Sequence, residues 1–175
     1  QFRAFLLDGQ AVVLEDYLAV RPERMADIRA FGKAGRLFAG PWYVLPDEFL
    51  VSGEALVRNL RMGRELARKF GAEPSGAGFL CDMFGHNSQM PQIFAGFGVR
   101  GAFAWRGTNI IDRRRFIWKG ADGTLMPTYR FGEIGYCTYA VQMRRADALG
   151  RQPDDAELEQ NLENWLANEN AKTDA

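Results

Sequence analysis

Short apolar runs alternate along the chain with stretches whose apolar residues recur at helical spacing, a pattern that predicts an α/β layout with a mainly parallel sheet. Phe5-Leu6-Leu7-Asp8-Gly9 reads as a buried strand ending in a turn, with Phe2-Arg3-Ala4 leading into it. Val12 to Phe31 reads as helical with a break near Pro22, and Arg36 to Gly40 as the next strand, running on to Trp42 and Tyr43. The strongest helical pattern covers Gly53 to Phe70. Ser52 is placed to cap it, Glu54 suits the first turn, and Gly71 is a natural stop. Leu56, Leu60, Ala67 and Phe70 fall on one face, leaving Arg58, Arg61, Arg64, Arg68 and Lys69 to solvent.

A third strand runs through Gly78 to Cys81 and ends at Asp82. A short helix from Gln89 to Phe97 follows, with Ser88 as cap and Gly98 as stop, and then a fourth strand, Ala102 to Trp105. Phe116-Ile117-Trp118 and Leu125-Met126 flank the turn signal Ala121-Asp122-Gly123-Thr124, so a hairpin is expected there. A last helix begins near Pro153 and sets Leu158, Leu162, Trp165 and Leu166 on one face.

Composition narrows the function classes. The 175 residues are 47% hydrophobic and 13% aromatic, enough for one sizeable core. Lys+Arg and Asp+Glu both number 22, so nothing favours nucleic acid, and the run Arg113–Arg115 reads as a solvated turn. No apolar stretch is long enough to span a membrane. Cys81 and Cys137 lie far apart without paired-ligand spacing, which fits a reduced, cytoplasmic setting. Gln1 standing directly before a strand, and the trailing residues 168–175, predict a single α/β segment over 1–175 cut at both ends from something longer.

In parallel α/β proteins reactive side chains gather where strands end and loops open into a shared crevice. Asp8, the pair Asp47 and Glu48, Asp82 and Arg106 occupy such positions, with Trp42, Tyr43, Phe84 and Trp105 beside them. Each has a plainer role available: a turn former, a helix support, a structural ion pair, a core aromatic. His86 is the only histidine and cannot build a metal site alone; by default it is a hydrogen-bonded loop residue. The mixture as a whole suits a glycan or another small polar ligand. Aromatic faces cover the apolar surface of a sugar ring, while carboxylates and arginine pair with hydroxyls and do the chemistry.

Several motifs carry a more specific resemblance: Leu7-Asp8-Gly9-Gln10 with Leu14-Glu15-Asp16-Tyr17-Leu18, Gly40-Pro41-Trp42-Tyr43 through Asp47-Glu48 to Gly53-Glu54, Asp82-Met83-Phe84-Gly85-His86 with Ser88-Gln89-Met90-Pro91, and Trp105-Arg106-Gly107. In this order and spacing, over roughly residues 2–123, the chain resembles glycoside hydrolase family 38, and within it the bacterial α-mannosidases and mannosylglycerate hydrolases. The resemblance implies a partial (β/α) barrel with mainly parallel strands and a retaining α-mannosidase acting on a carbohydrate substrate with a bound zinc ion. Asp82 would be both catalytic nucleophile and zinc ligand, Phe84 would line the sugar pocket, and Arg106 would orient the nucleophile. The family's other zinc ligands and its acid/base aspartate have no counterpart in the chain. Cys81 and Asn87 depart from the family pattern, and Tyr129-Arg130-Phe131-Gly132 does not reproduce the tyrosine-aspartate pair of the Golgi branch.

Two further expectations follow. The chain by itself is a catalytically incomplete fragment or a sugar-binding module, and its open barrel edges favour self-association. A metal-dependent deacetylase or phosphoesterase needs more histidines than this chain has.

Overall fold

In a computed structural model the described residues are 3–108, 110–111, 113–132, 135–146 and 149–173. Phe2, at the head of the expected first run, and Asp174 and Ala175 at the trailing end lie outside them. The described chain is mixed α/β with parallel-rich sheets. Strands β1 (Phe5–Leu7), β2 (Leu37–Ala39) and β3 (Glu73–Pro74) pair in parallel in that order. Strands β4 (Ala77–Leu80), β5 (Gly101–Ala104), β6 (Arg115–Lys119) and β7 (Leu125–Arg130) form a second sheet in the order β4-β5-β7-β6. Only the β6–β7 hairpin in it is antiparallel.

The two sheets meet at a jog. Ser75 and Gly76 separate β3 from β4, with the Ser75 amide donating to the Ala39 carbonyl on one side and Arg100 N–H to the Gly76 carbonyl on the other (3.0 and 3.2 Å). One stretch of chain thus pairs first with β2 and then with β5. Among the described residues both sheets are open, the first edged by β1 and β3 and the second by β4 and β6.

The helices are α1 (Val12–Val20), α2 (Met25–Lys33), α3 (Gly53–Lys69), α4 (Met90–Gly96), α5 (Thr138–Met143) and α6 (Asp155–Thr173). The break expected near Pro22 is present as a 3₁₀ turn, Pro22–Arg24. The Ser52 hydroxyl accepts from the Ala55 amide at 3.2 Å, the expected cap of α3. Ser88 does not cap α4. Asn87 supplies the local turn instead, its side-chain oxygen accepting from the Gln89 amide at 2.9 Å. No described helix is long and apolar enough to cross a membrane.

Two apolar clusters fill the interior. One joins Trp42, Leu56, Leu60, Leu80, Met83, Met90 and Phe94, and the other joins Leu14, Leu18, Ala39, Leu66, Ala67 and Phe70. Helix α3 contributes to both, through Leu56 and Leu60 at its start and Leu66 and Ala67 at its end. Trp42 is fully buried. Its indole N–H donates to the Phe79 carbonyl at 2.9 Å, and its ring lies 5.6 Å from that of Phe94. It is a core residue rather than a lining of the crevice.

Other expectations are corrected. The second strand stops at Ala39, and Trp42 contributes only an isolated bridge to Gln10. Arg64 is half-buried and donates to the Ser75 carbonyl, so the jog takes one of the arginines assigned to solvent. Arg113–Arg115 is not a solvated turn. Arg115 opens β6, and Arg114 is buried against Glu169 of α6 in a two-toothed pair at 2.9 and 3.3 Å, with Tyr129 hydroxyl donating to the same carboxylate at 2.7 Å. That anchor turns α6 so that Leu158, Leu162 and Trp165 are half-buried while Leu166 is exposed.

Gly63 is where α3 meets the backbone of Trp42. A methyl group there would lie 2.2 Å from the Trp42 carbonyl carbon. Backbone cannot rotate aside as a side-chain end can, so Gly63→Ala is expected to destabilise the fold by about 1–3 kcal/mol. Urea or thermal unfolding of the two proteins measures it; equal stability would show that helix and loop separate without loss.

Candidate active site

The candidate residues Asp8, Glu48, Asp82 and Arg106 lie on the loops that follow β1, β2, β4 and β5, at the carboxyl ends of parallel strands. The ladder runs on beyond the strands: Trp105 and Arg106 amides donate to the Leu80 and Cys81 carbonyls at 3.4 and 3.3 Å. Asp82 and Arg106 are thereby set side by side. Arg106 Nε donates to Asp82 Oδ1 at 3.3 Å, with the two side chains 40% and 34% exposed. Solvent screens a pair so exposed, and its value lies in orientation more than in stability.

The second oxygen of Asp82 is also engaged. Tyr136, in the 3₁₀ turn Gly135–Cys137, donates its hydroxyl to Asp82 Oδ2 at 2.6 Å. The turn is held against Trp105: Gly135 has φ +68°, and a Cβ on it would fall 2.4 Å from the Trp105 ring. The Tyr136 ring meets Trp105 edge-on at 5.8 Å. The hydrogen bond to Asp82, with burial and the charges of Asp82 and Asp8 adding to it, holds the Tyr136 phenol above its ordinary range, so it stays a donor. Cys81, buried beneath, is pushed up by desolvation and then by Asp82, and is inert as a thiolate.

The Arg106 guanidinium lies over two rings, 4.2 Å from the Trp105 centroid and 5.2 Å from that of Phe84. Phe84 is 70% exposed, a large apolar face standing open beside the carboxylate. Asp8 ends β1 with a φ of 37° and accepts from Gln10 at 2.8 Å, while the Gln10 side-chain oxygen accepts from the Leu45 amide at 3.1 Å. Tyr43 turns away from this group and donates its hydroxyl to Glu15 at 3.0 Å.

Glu48 and His86 lie just below. The Glu48 side chain is fully buried. One oxygen meets His86 Nδ1 at 2.9 Å and the other accepts from the Asn87 amide at 2.7 Å. His86 Nε2 meets the Arg106 carbonyl at 2.6 Å. Asp47 takes no part; its carbonyl accepts from the Leu50 amide at 3.0 Å.

Of the residues singled out from sequence, Asp82, Arg106, Phe84 and Trp105 come together, with Asp8 near enough for its charge to act on Tyr136. Tyr136 was missed. It stood in a Tyr/Phe-rich stretch whose path nothing in the sequence fixed. A concavity of about 550 Å³ lies elsewhere, against β5, β6 and β7 and lined by Phe103, Phe116, Ile117 and Pro127. It has no carboxylate, so the acid–arginine group is the better candidate for chemistry.

The described residues do not compose a metal site. Among them no group of three or more His, Cys, Asp or Glu is placed to hold an ion, and Asp82 and His86 already have both polar atoms engaged.

A carboxylate gripped by arginine and tyrosine, beside an exposed aromatic at parallel strand ends, suits a glycan or another small polar ligand on an α/β scaffold. The particular family is shown by comparison. The family model "Glycosyl hydrolases family 38 N-terminal domain" matches residues 3–173, and the chain belongs to that family. It is 47% identical over 106 residues to a Halalkalibacterium halodurans protein named "Putative mannosylglycerate hydrolase", covering 61% of this chain. It is 31% identical over 121 residues to human "Alpha-mannosidase 2C1", covering 66% of this chain. The chain matches only 12% of the length of either relative. The crystal structure of an alpha-mannosidase from Enterococcus faecalis V583 superposes with a TM-score of 0.75 at 33% identity, over 93% of this chain and 18% of that one.

His86 gives the site a pH signature. Burial alone would lower its pKa, but the hydrogen bond and charge of Glu48 and the Arg106 carbonyl outweigh it, and the net shift is upward. A raised histidine stabilises the fold fully below its unfolded pKa of about 6.5 and loses that contribution as pH rises through the folded value. The melting temperature is therefore expected to decline as pH climbs above about 6.5, and Glu48→Gln to flatten that decline. Thermal melts of both proteins across this range decide it; parallel pH profiles would refute the assignment.

Proposed function

We propose that this chain forms the nucleophile-bearing part of a retaining α-mannosidase, with Asp82 attacking the anomeric carbon of a terminal α-mannoside. The observation that carries the reading is the Asp82 carboxylate held at both oxygens, by Arg106 and Tyr136, beside the open face of Phe84. Family membership and the likeness to an alpha-mannosidase structure support it.

In this reading one Asp82 oxygen displaces the leaving oxygen at the anomeric carbon, which departs with a proton from a second carboxyl group. Water, losing a proton to that second carboxylate, then displaces Asp82 from the same carbon, and two inversions give retention. Retaining enzymes hold the two carboxyls about 5–5.5 Å apart. The acid/base partner comes from outside the described residues. Arg106 and Tyr136 fix the direction of the attacking lone pair, and Phe84 covers the apolar face of the sugar. Zinc, where held, would take Asp82 as one ligand and need others that the described residues do not provide. The two open sheets are then an arc of a (β/α) barrel, and the setting is cytoplasmic.

A second reading is favoured by the lack of any three-ligand metal cluster among the described residues: the chain alone is catalytically incomplete. Aryl α-mannoside hydrolysis, assayed on this chain with and without zinc and on an active protein that contains it, separates the two. The isolated chain is expected to give no turnover. In the active protein, Asp82→Ala should lower kcat by about 10³–10⁴-fold and Arg106→Ala by about a hundredfold. Undiminished activity in the Asp82 variant would end the proposal.

A further inference from the structure

His86 is a largely buried polar side chain with both ring nitrogens engaged, and the role proposed for Asp82 makes no use of it. Both of its ring nitrogens face acceptors. The Arg106 carbonyl can only accept, so Nε2 carries a hydrogen. Nδ1 lies 2.9 Å from a Glu48 carboxyl whose other oxygen already accepts from the Asn87 amide. A carboxylate in that place requires a hydrogen on Nδ1 as well.

The three groups lie on three different loops. Glu48 follows β2, His86 follows β4 and Arg106 follows β5. Two glycines let the loops approach. Gly85 has φ +128°, and a Cβ there would strike the Phe49 ring at 2.4 Å; Gly107 has φ +75° and lies against the His86 ring. The edge of Trp118 on β6 closes another side, 5.6 Å between centroids. The ionic and dipolar groups acting on the ring are therefore Glu48 and the Arg106 carbonyl, while Phe49, Gly107 and Trp118 bring no charge.

Arg106 is thus pinned through both of its backbone groups: its amide donates to Cys81 and its carbonyl accepts from His86. A side chain leaving so fixed a backbone, and lying over the rings of Trp105 and Phe84, has few directions open. We propose that Glu48 and His86 are a buried positioning pair, in which an imidazolium bridges the Glu48 carboxylate to the Arg106 carbonyl and so sets the Arg106 guanidinium against Asp82. Neither residue touches substrate. Their catalytic importance rests on the reading of Asp82 as nucleophile, but the positioning itself does not.

The test uses the whole chain and no turnover assay, so its failure is separate from that of the proposed function. Because His86 is the only histidine, a protein labelled with ¹⁵N at histidine gives one imidazole spectrum. Both ring nitrogens are expected to be protonated at neutral pH. In Glu48→Gln the ring should carry one proton at that pH, and exchange of the Arg106 Nε–H, assigned by its loss in Arg106→Lys, should quicken at least tenfold. The wild type should show the same quickening as pH passes the His86 titration, and Glu48→Gln should show no such step. If Glu48→Gln does not fold, the wild-type titration and His86→Gln, which keeps an N–H for the Arg106 carbonyl but no cation, carry the comparison. A ring with one proton in the wild type would overturn the proposal, meaning a neutral Glu48–His86 pair. So would Arg106 Nε–H exchange indifferent to His86 while the β4 amides stay protected.

Discussion

The burial of Trp42 is the constraint on which the other parts depend. Its ring fills the space between α3, α4 and the start of the second sheet, and its N–H must then find an acceptor away from water. It finds the Phe79 carbonyl, on the strand that runs through the jog between the two sheets. The same residue fixes the chain after β1, since Trp42 donates to the Gly9 carbonyl and accepts from the Ala11 amide. Helix α3 can come close only because Gly63 has no side chain. One indole thus sets the relation of β1, α3 and β4, and with it the height at which the loops after β2 and β4 emerge.

Upon that frame the site is assembled from loops, each too short to hold its shape alone. Asp82 is reached from two sides: Arg106 arrives by extension of the β4–β5 ladder, and Tyr136 by a turn packed on Trp105. The buried Glu48–His86 pair ties the loop after β2 to this group. Rigidity comes from charged and polar contacts sheltered by aromatic faces. Such contacts suit a carboxylate that must keep one orientation while remaining partly open to solvent.

Much of the frame was legible in the sequence because it follows from local periodicity. The face of α3, its Ser52 cap and the break at Pro22 need only neighbouring residues to be read. The strand-end positions of Asp82 and Arg106 followed from the same alternation, and the family from ordered motifs. What escaped depends on contacts between distant segments. Tyr136 reaches Asp82 across 54 positions, and Arg114 reaches Glu169 across 55, so local pattern could announce neither. Three consecutive arginines look solvated until a carboxylate on a later helix faces the middle one. The jog at Ser75-Gly76, and β3 before it, went unread because two residues make no periodic signal.

The covalent step proposed for Asp82 can be trapped directly. An active protein containing this chain can be treated with a fluorinated α-mannosyl fluoride whose glycosyl-enzyme forms but turns over slowly, then digested and mapped by mass spectrometry. A single sugar adduct is expected, on Asp82 in the peptide that includes Met83 and Phe84. An adduct on any other carboxylate, with Asp82 unmodified, would contradict it.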